Sequence, residues 1–325
     1  MQAIVYHRYG SPDVLQLEEI ERPTPGETEV LIKVHAASVN PLDWHLLRGM
    51  PYGFRMMSGL RKPKEERLGI DGSGQVEAVG SKATQFKPGD AVFGACRGAF
   101  AEYACAPQSA VVLKPANIDF WQAASAPVAA LTALQALRDK GHLEPGQKVL
   151  INGAAGGVGT FAVQIARHLG GDVTGVCSTR NVDLMRSLGA HHVIDYTQED
   201  FTKSGQRCDL FIDCIGNHSL PACRRVLAPK GVYIMVGGQS GRWVSPMDRW
   251  IRARLLSPFV PQNLITMVAK VNQQGLNLIA ELMASGKVTP IIDRTYSLRD
   301  VPAAIRYIEE GHARGKVVIA MNESR

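Results

Sequence analysis

The sequence predicts an α/β protein in which a doubly wound parallel sheet is inserted in a β-rich lobe. Three observations carry that expectation. Apolar strand and helix patterns alternate through the middle of the chain, a glycine run stands between one such strand and one such helix, and short β-branched segments punctuated by glycine and proline fill the first third. At 325 residues the chain exceeds one core of ordinary size, so two domains sharing a ligand cleft are expected. Their expected bounds are 1–122 with 265–325 for the β-rich, substrate-holding domain and 123–264 for the inserted one. A content of 45% hydrophobic and 20% charged residues supplies a sizeable core and argues against a disordered or fibrous chain.

Taken in order, Val30 to Val34, Gly74 to Val79 and Ala91 to Phe93 read as short strands separated by turns such as Lys87-Pro88-Gly89-Asp90. The pattern changes near Pro127. Ala129 to Asp139 reads as a helix, and Lys148 to Ile151 as a strand after the turn Glu144-Pro145-Gly146. The helix Thr160 to His168 follows the glycine run, and Val173 to Cys177 is the next strand. Asn181 then caps a helix running to Leu188 that Gly189 closes: a side-chain oxygen satisfies free N–H groups at a helix start, and glycine accepts the left-handed turn at its end. Val193 to Asp195, Leu210 to Asp213 and Val232 to Val236 are further apolar strands, the last preceded by a helix Leu220 to Leu227. Such alternation covers both faces of a parallel sheet with helices. Leu276 to Ser285 and Val301 to Glu310 read as helices, with a strand near Ile291 between them. The last strand, Lys316 to Ala320, is expected to pair back into the first lobe, which makes the middle unit an insertion.

The net charge of +6 admits a polyanionic partner, yet the lysines and arginines are scattered. The densest group, Arg61, Lys62, Lys64 and Arg67, is interrupted by Glu65 and Glu66 and reads as a solvated loop, so no nucleic-acid partner is expected. The N-terminal MQAIVYHRYG has no charged stretch followed by an apolar run. No segment offers the roughly 18 to 20 unbroken apolar residues of a spanning helix, so a cytoplasmic chain without stable membrane insertion is expected. Around Trp250 to Leu256, Arg249, Arg252 and Arg254 mix with Ile251, Leu255 and Leu256. Surface helix is the plainer reading of that stretch, peripheral membrane contact the sharper one. Cys96, Cys105, Cys177, Cys208, Cys214 and Cys223 never stand in a Cys-x-x-Cys spacing and read as reduced, mostly buried side chains rather than metal ligands.

The glycine run is Asn152-Gly153-Ala154-Ala155-Gly156-Gly157-Val158-Gly159. Its place between a strand and a helix makes it a dinucleotide-binding loop of Rossmann type. Gly153 permits the tight turn, Gly156 lets the backbone approach a pyrophosphate, and Gly159 lets the helix pack closely on the sheet. Ala155, Gly157 and Val158 complete the cradle, with the pyrophosphate expected on N–H groups at the positive end of the helix. The end of the following strand chooses between cofactors, because an NAD site usually carries an acidic residue there for the ribose hydroxyls. Here it reads Ser178-Thr179-Arg180, with no carboxylate to repel a 2′-phosphate, and Ser178 and Arg180 can bind one. Tyr196, at the end of the next strand, adds a phenolic hydroxyl, so NADPH is the expected cofactor.

An ordered series of motifs runs along nearly the whole chain: Ala37-Ser38-Val39-Asn40-Pro41-Leu42-Asp43, Gly69-Ile70-Asp71-Gly72-Ser73-Gly74, Val79-Gly80, Lys87-Pro88-Gly89-Asp90, the Gly153 to Gly159 loop, and Gly315-Lys316-Val317-Val318. This series resembles the medium-chain dehydrogenase/reductase superfamily, and in particular its zinc-free quinone oxidoreductase branch. The resemblance implies a Rossmann domain inserted in a GroES-like catalytic domain, and a homodimer formed through the edge of the nucleotide sheet. Zinc-containing alcohol dehydrogenases of that superfamily ligate the metal with a cysteine in the segment matching Asn40, with His-Glu at the place of Ile70-Asp71, and with a late ligand near Val128. Isoleucine and valine cannot bind zinc, so no catalytic metal is expected.

Without a Lewis acid an alkoxide is hard to generate, which argues against alcohol oxidation and favours acceptors that take a hydride readily. Quinones and α,β-unsaturated carbonyl compounds, enones or enals, spread the developing charge by conjugation, so a few hydrogen bonds suffice to stabilise it. The resemblance places Asn40 and Asp43 beside nicotinamide and substrate, with Tyr52 as the hydroxyl that polarises a carbonyl. For Tyr52 a loop aromatic walling the pocket, and for Asp43 a carboxylate holding its loop, are the competing readings. On the cofactor side it implies Thr132 at the nicotinamide ribose, Cys214 and Gly216 after the strand Leu210 to Asp213, Gly237-Gly238 after the last strand, Phe259 within Pro258-Phe259-Val260-Pro261 as a wall, and Lys316 reaching in from the C-terminal strand. Trp44 and Trp243 are candidates for lining an acceptor pocket. A second class of function stays open, a non-catalytic NADPH-binding sensor or scaffold, since an intact glycine loop fits both.

Overall fold

The structure, a computed structural model, describes residues 1–237, 253, 255 and 260–321. The chain divides into two compact units, Met1–Leu131 with Val271–Arg325, and Thr132–Lys270.

In the first unit β1 (Gln2–Val5) and β2 (Gln16–Glu19) form an antiparallel pair. The body of the unit begins with β3 (Glu29–Val39), followed by β4 (Asp71–Val79), β5 (Ala91–Ala95), β6 (Tyr103–Pro107) and β7 (Val111–Leu113). β3 pairs antiparallel with both β4 and β6. Val30, Ile32 and Val34 of β3 join Val76, Val92 and Phe100 in one buried cluster. The strand runs five residues past the expected Val34, and from Ala36 to Val39 every side chain is buried, so the apolar-polar alternation that marks a half-exposed strand is lost there.

The second unit holds β8 (Lys148–Asn152), β9 (Asp172–Cys177), β10 (His192–Asp195), β11 (Cys208–Asp213), β12 (Leu227–Met235) and β13 (Asn263–Thr266). They form one sheet in the order β10-β9-β8-β11-β12-β13, and every pairing is parallel. The chain order reverses between β8 and β11, the place where doubly wound sheets open for a ligand at their carboxyl ends. Helix Gly157–His168 connects β8 to β9. Phe201, Phe211 and Tyr233 pack edge to face on this sheet, with centroids 5.8 and 5.3 Å apart.

The chain then returns to the first unit through helix Gln273–Ala284, β14 (Ile292–Ser297), helix Val301–Glu309 and β15 (Lys316–Ala320). β15 lies between β14 and β3, antiparallel to β3 with Val317 opposite Val39, completing a seven-stranded sheet in the order β14-β15-β3-β4-β5-β7 with β6 on β3. The observed class is thus the expected one, a doubly wound sheet held within a β-rich fold. Two helices differ from expectation. The span 129–139 is an α-helix Pro127–Leu134 that continues as a π-helical turn Gln135–Lys140. The helix from Leu220 ends at Arg225, because Leu227 already pairs with Cys208 as the first residue of β12. Expectations for Gly238, Trp243, Arg249, Arg252, Arg254, Pro258 and Phe259 lie outside the described residues. No described helix is long and apolar enough to cross a membrane.

Candidate active site

The glycine loop joins β8 to helix Gly157–His168. Gly153 sits at φ +80°, a region costly for any residue with a side chain, and a Cβ there would come within 2.6 Å of Ile215. At Gly159 a Cβ would press to 2.2 Å from the Gly153 carbonyl oxygen, so its absence is what lets the helix settle on the strand. Gly156 is different. A Cβ there would meet nothing nearer than the Gly153 carbonyl oxygen at 3.4 Å, so the protein's own packing does not require glycine. The bare backbone leaves room for something outside the chain. Beside it the N–H groups of Gly157, Val158 and Gly159 open the helix without intrahelical acceptors, the arrangement that suits a diphosphate.

A buried carboxylate ties this loop to its neighbour. Asp213 ends β11 opposite Asn152 of β8 and is fully buried. Its Oδ1 accepts hydrogen bonds from Asn152 Nδ2 at 2.9 Å, Gly216 N at 2.8 Å and Ile215 N at 3.2 Å, while its Oδ2 accepts from the Tyr233 hydroxyl at 2.7 Å. Asn152 Nδ2 also donates to Asn217 Oδ1 at 3.0 Å. Gly216 stands at φ +68°, and a Cβ on Gly237 would collide with the Cys214 carbonyl oxygen at 2.1 Å. Gly153, Cys214, Gly216 and Gly237 are therefore brought together at the carboxyl ends of β8, β11 and β12. Burial pushes the Cys214 thiol far up, which keeps it protonated and unreactive. Asp213, Asn152 and Tyr233 were not anticipated; the signal was a polar residue closing each of two apolar strands just before a glycine-bearing turn.

Ser178 and Arg180 follow β9, and Tyr196 follows β10. Cys177 stands opposite Asp195 across the two strands, and Tyr196 N–H donates to the Cys177 carbonyl at 3.0 Å, which brings the segments together. The Ser178 hydroxyl oxygen accepts from Asn181 Nδ2 at 3.2 Å, while Arg180 and Tyr196 are exposed. Asp195 is a carboxylate the sequence reading left out here. The Thr179 hydroxyl bonds it at 2.6 Å and Thr197 at 2.8 Å, which together hold it below the usual carboxylate range.

In the first unit Asn40, Asp71 and Lys316 form a buried group. Asn40 Nδ2 donates to Asp71 Oδ2 at 2.9 Å and Asn40 Oδ1 accepts from Lys316 Nζ at 2.6 Å. Lys316 Nζ lies 3.5 Å from Asp71 Oδ2 and 3.4 Å from the Val39 carbonyl oxygen. Ser38 Oγ and the Val128 N–H complete the bonds to Asp71, at 3.2 and 3.0 Å. Burial lowers the Lys316 amine and raises the Asp71 carboxyl, and the charge of each opposes the other's shift. Lys316 was expected beside the cofactor, and its amine bonds to the Asn40 segment. Asn40 was expected to meet substrate, and its amide has both ends taken.

For Asp43 the two readings were a place beside nicotinamide and substrate and a carboxylate holding its loop. It is fully buried, with Oδ2 accepting from Asn40 N at 2.7 Å and Oδ1 from Gly69 N at 3.1 Å, so it closes the first turn of helix Pro41–Arg48 and pins the Gly69 loop. These bonds favour the reading of Asp43 as a carboxylate that holds its loop. Tyr52 follows that helix, 37% exposed, with the Arg55 guanidinium 4.8 Å from its ring centroid. Thr132 is buried in helix Pro127–Leu134, and Trp44 stacks on His45 at 3.7 Å.

The zinc-binding dehydrogenase family matches residues 188–319, and the alcohol dehydrogenase GroES-like domain family matches residues 26–116. The quinone oxidoreductase of Coxiella burnetii has a similar structure, with a TM-score of 0.87 at 31% identity over 99% of both chains. The chloroplastic quinone-oxidoreductase QR1 of Triphysaria versicolor is 33% identical over 98% of each chain. The mouse mitochondrial NAD(P)H oxidoreductase RTN4IP1 is 33% identical over 98% of this chain and 89% of its own length. The chain belongs to the medium-chain dehydrogenase/reductase superfamily, in its quinone oxidoreductase-like branch. It is an oxidoreductase.

For a medium-chain dehydrogenase/reductase, the matched description raises the question of zinc. Asn40 offers an amide already bonded at both ends, Ile70 and Val128 offer no donor side chain, and a lysine amine stands among the oxygens that remain. Among the described residues no three His, Cys, Asp or Glu side chains gather as a metal site would require. The residues present do not fit zinc.

Proposed function

We propose that this oxidoreductase transfers a hydride from NADPH to a quinone or an α,β-unsaturated carbonyl compound without a metal. The observation that supports it most is the space at Gly156 beside the open N–H groups of helix Gly157–His168, a cradle that packing does not explain and a diphosphate would. The choice of NADPH rests on Ser178, Arg180 and Tyr196 at the ends of β9 and β10, a hydroxyl, a guanidinium and a phenol suited to a 2′-phosphate. Asp195 stands nearby with its oxygens engaged by Thr179 and Thr197.

When bound, the reduced nicotinamide supplies the hydride; the chain binds, orients and excludes water. The residues at the metal positions argue for an acceptor whose own conjugation carries the developing charge. The family resemblance supports Tyr52 as the hydroxyl that bonds to the acceptor's carbonyl oxygen. A proton from this phenol or from water then completes reduction to the hydroquinone or saturated carbonyl. The names of the Coxiella and Triphysaria proteins support a quinone as acceptor.

The test is NADPH oxidation against 1,4-benzoquinone, 9,10-phenanthrenequinone, acrolein and a longer enone. Turnover with at least one conjugated acceptor is expected, and none with simple alcohols plus NADP. Tight NADPH binding without oxidation by any acceptor would favour a sensor or scaffold instead.

A further inference from the structure

We propose that the Lys316 amine is this chain's resident cation, taking the place a metal holds in zinc-containing members, and that it is thereby a positioning residue for the Asn40 segment. The proposal rests on the reading of the chain as a reductase.

Two stretches far apart in sequence meet the Lys316 amine of β15, and a third holds one of them in place. The end of β3 offers the Val39 carbonyl and the Asn40 amide oxygen, the first residue of β4 offers Asp71 Oδ2, and the Val128 N–H at the start of helix Pro127–Leu134 holds Asp71 by its other oxygen. Asn40, the pair Ile70-Asp71 and Val128 are the places that resemble the zinc-ligand positions of the metal-dependent members. Here Nζ faces three oxygens, Asn40 Oδ1, Val39 O and Asp71 Oδ2, at 2.6, 3.4 and 3.5 Å, which is the environment of a cation. Lys316 is 3% exposed and Asp71 is fully buried.

Stability alone is a poor reason for such a group, since replacing a buried ion pair by apolar side chains of similar volume is often neutral or stabilising. Orientation is a better one. A side-chain amide turned by half a rotation exchanges its oxygen for its NH2. With Lys316 on Oδ1 and Asp71 on Nδ2, the turned form would set NH2 against an amine and an oxygen against a carboxylate. Only one orientation survives. Asn40 stands immediately before helix Pro41–Arg48, and its own N–H is held by Asp43, so fixing its side chain fixes the start of the segment leading to Tyr52.

The experiment compares wild type with Lys316→Met, which keeps the length and removes the charge, and with Lys316→Ala supplied with ethylammonium. Lys316→Met should lower kcat with a conjugated acceptor by on the order of 10²-fold, as a misplaced reacting segment does. Its NADPH affinity, read by fluorescence titration, should stay within about twofold, because Lys316 does not act through the cofactor. Ethylammonium should restore part of the activity of Lys316→Ala, and tetramethylammonium, which carries charge but no N–H donor, should not. An independent readout is the Asn40 side-chain NH2 signal in 15N-labelled protein, assigned with Asn40→Asp, which should move in Lys316→Met and return in Lys316→Ala with ethylammonium. Should Lys316→Met not fold, the Lys316→Ala arms carry the test alone. An unchanged kcat and an unmoved amide signal would overturn the proposal, as would a large loss of NADPH affinity at constant kcat. If wild type reduces no acceptor, the reductase reading fails while the amide signal still decides the positioning role.

Discussion

Arg180 follows β9 beside Ser178, where a guanidinium can pair with a phosphate in two directions at once. Arg180→Ala is expected to weaken NADPH by on the order of 1–3 kcal/mol and to leave NADH nearly unchanged. Titration with both cofactors checks this, and equal losses would show that the arginine does not read the 2′-phosphate. Asp43 gives a pH signature. Burial pushes its carboxyl up to about 7 against the pull of its backbone bonds, while an unfolded aspartate titrates at about 3.9. The folded protein therefore holds this proton more firmly. Its contribution is complete below about pH 4 and is lost as pH rises through about 7. Urea midpoints of wild type and Asp43→Asn should converge or diverge steadily between about pH 5 and pH 8, with wild type losing relative stability toward the alkaline end; parallel curves would exclude the effect. The family resemblance placed Asn40, Asp43 and Lys316 at one site and left a loop-holding role open for Asp43, yet nothing in the sequence signalled that Asn40 and Lys316 would bond to each other. Such pairings depend on which strands become neighbours.

At the scale of elements, the glycine loop makes two opposite predictions from one chemical change. Gly156→Ala has room for its methyl, so its melting temperature should match wild type while NADPH binding weakens, the added carbon lying where the diphosphate approaches. Gly159→Ala puts a methyl 2.2 Å from a backbone oxygen and should destabilise the protein by about 1–3 kcal/mol before any ligand is added. If Gly156→Ala proves the less stable of the two, the cradle is a packing feature. Asp213→Ala removes an acceptor shared by four donors and should raise the NADPH dissociation constant together with lowering stability by on the order of 1–3 kcal/mol. The loop was readable because strand, glycines and helix are contiguous in sequence. The carboxylate beneath it was not, because Asn152 and Asp213 are 61 residues apart and meet only once β8 and β11 lie side by side.

For the molecule as a whole, the alternation of strand and helix made the parallel sheet legible, and the motif at Gly315 to Val318 made the return of β15 legible. The β1–β2 pair and helix Pro41–Arg48 were missed, since short segments carry too little periodicity to stand out. β15 buries Val317, Val318 and Ile319 completely. At 1.5–3 kcal/mol for each such side chain, losing it removes about 5–9 kcal/mol, comparable with the entire stability of an ordinary domain. A chain ending at Gly315 should accordingly accumulate as insoluble material, and a soluble product with the wild-type melting temperature would contradict that. The same strand sets a timetable for biosynthesis. Val39 and Lys316 are 277 residues apart, so a ribosome releases β3 long before the neighbour that will cover its flank. Throughout that interval the nascent chain carries an open, apolar strand edge, the kind of surface that holdase chaperones bind, and the nucleotide unit emerges first with all its sheet partners already in hand.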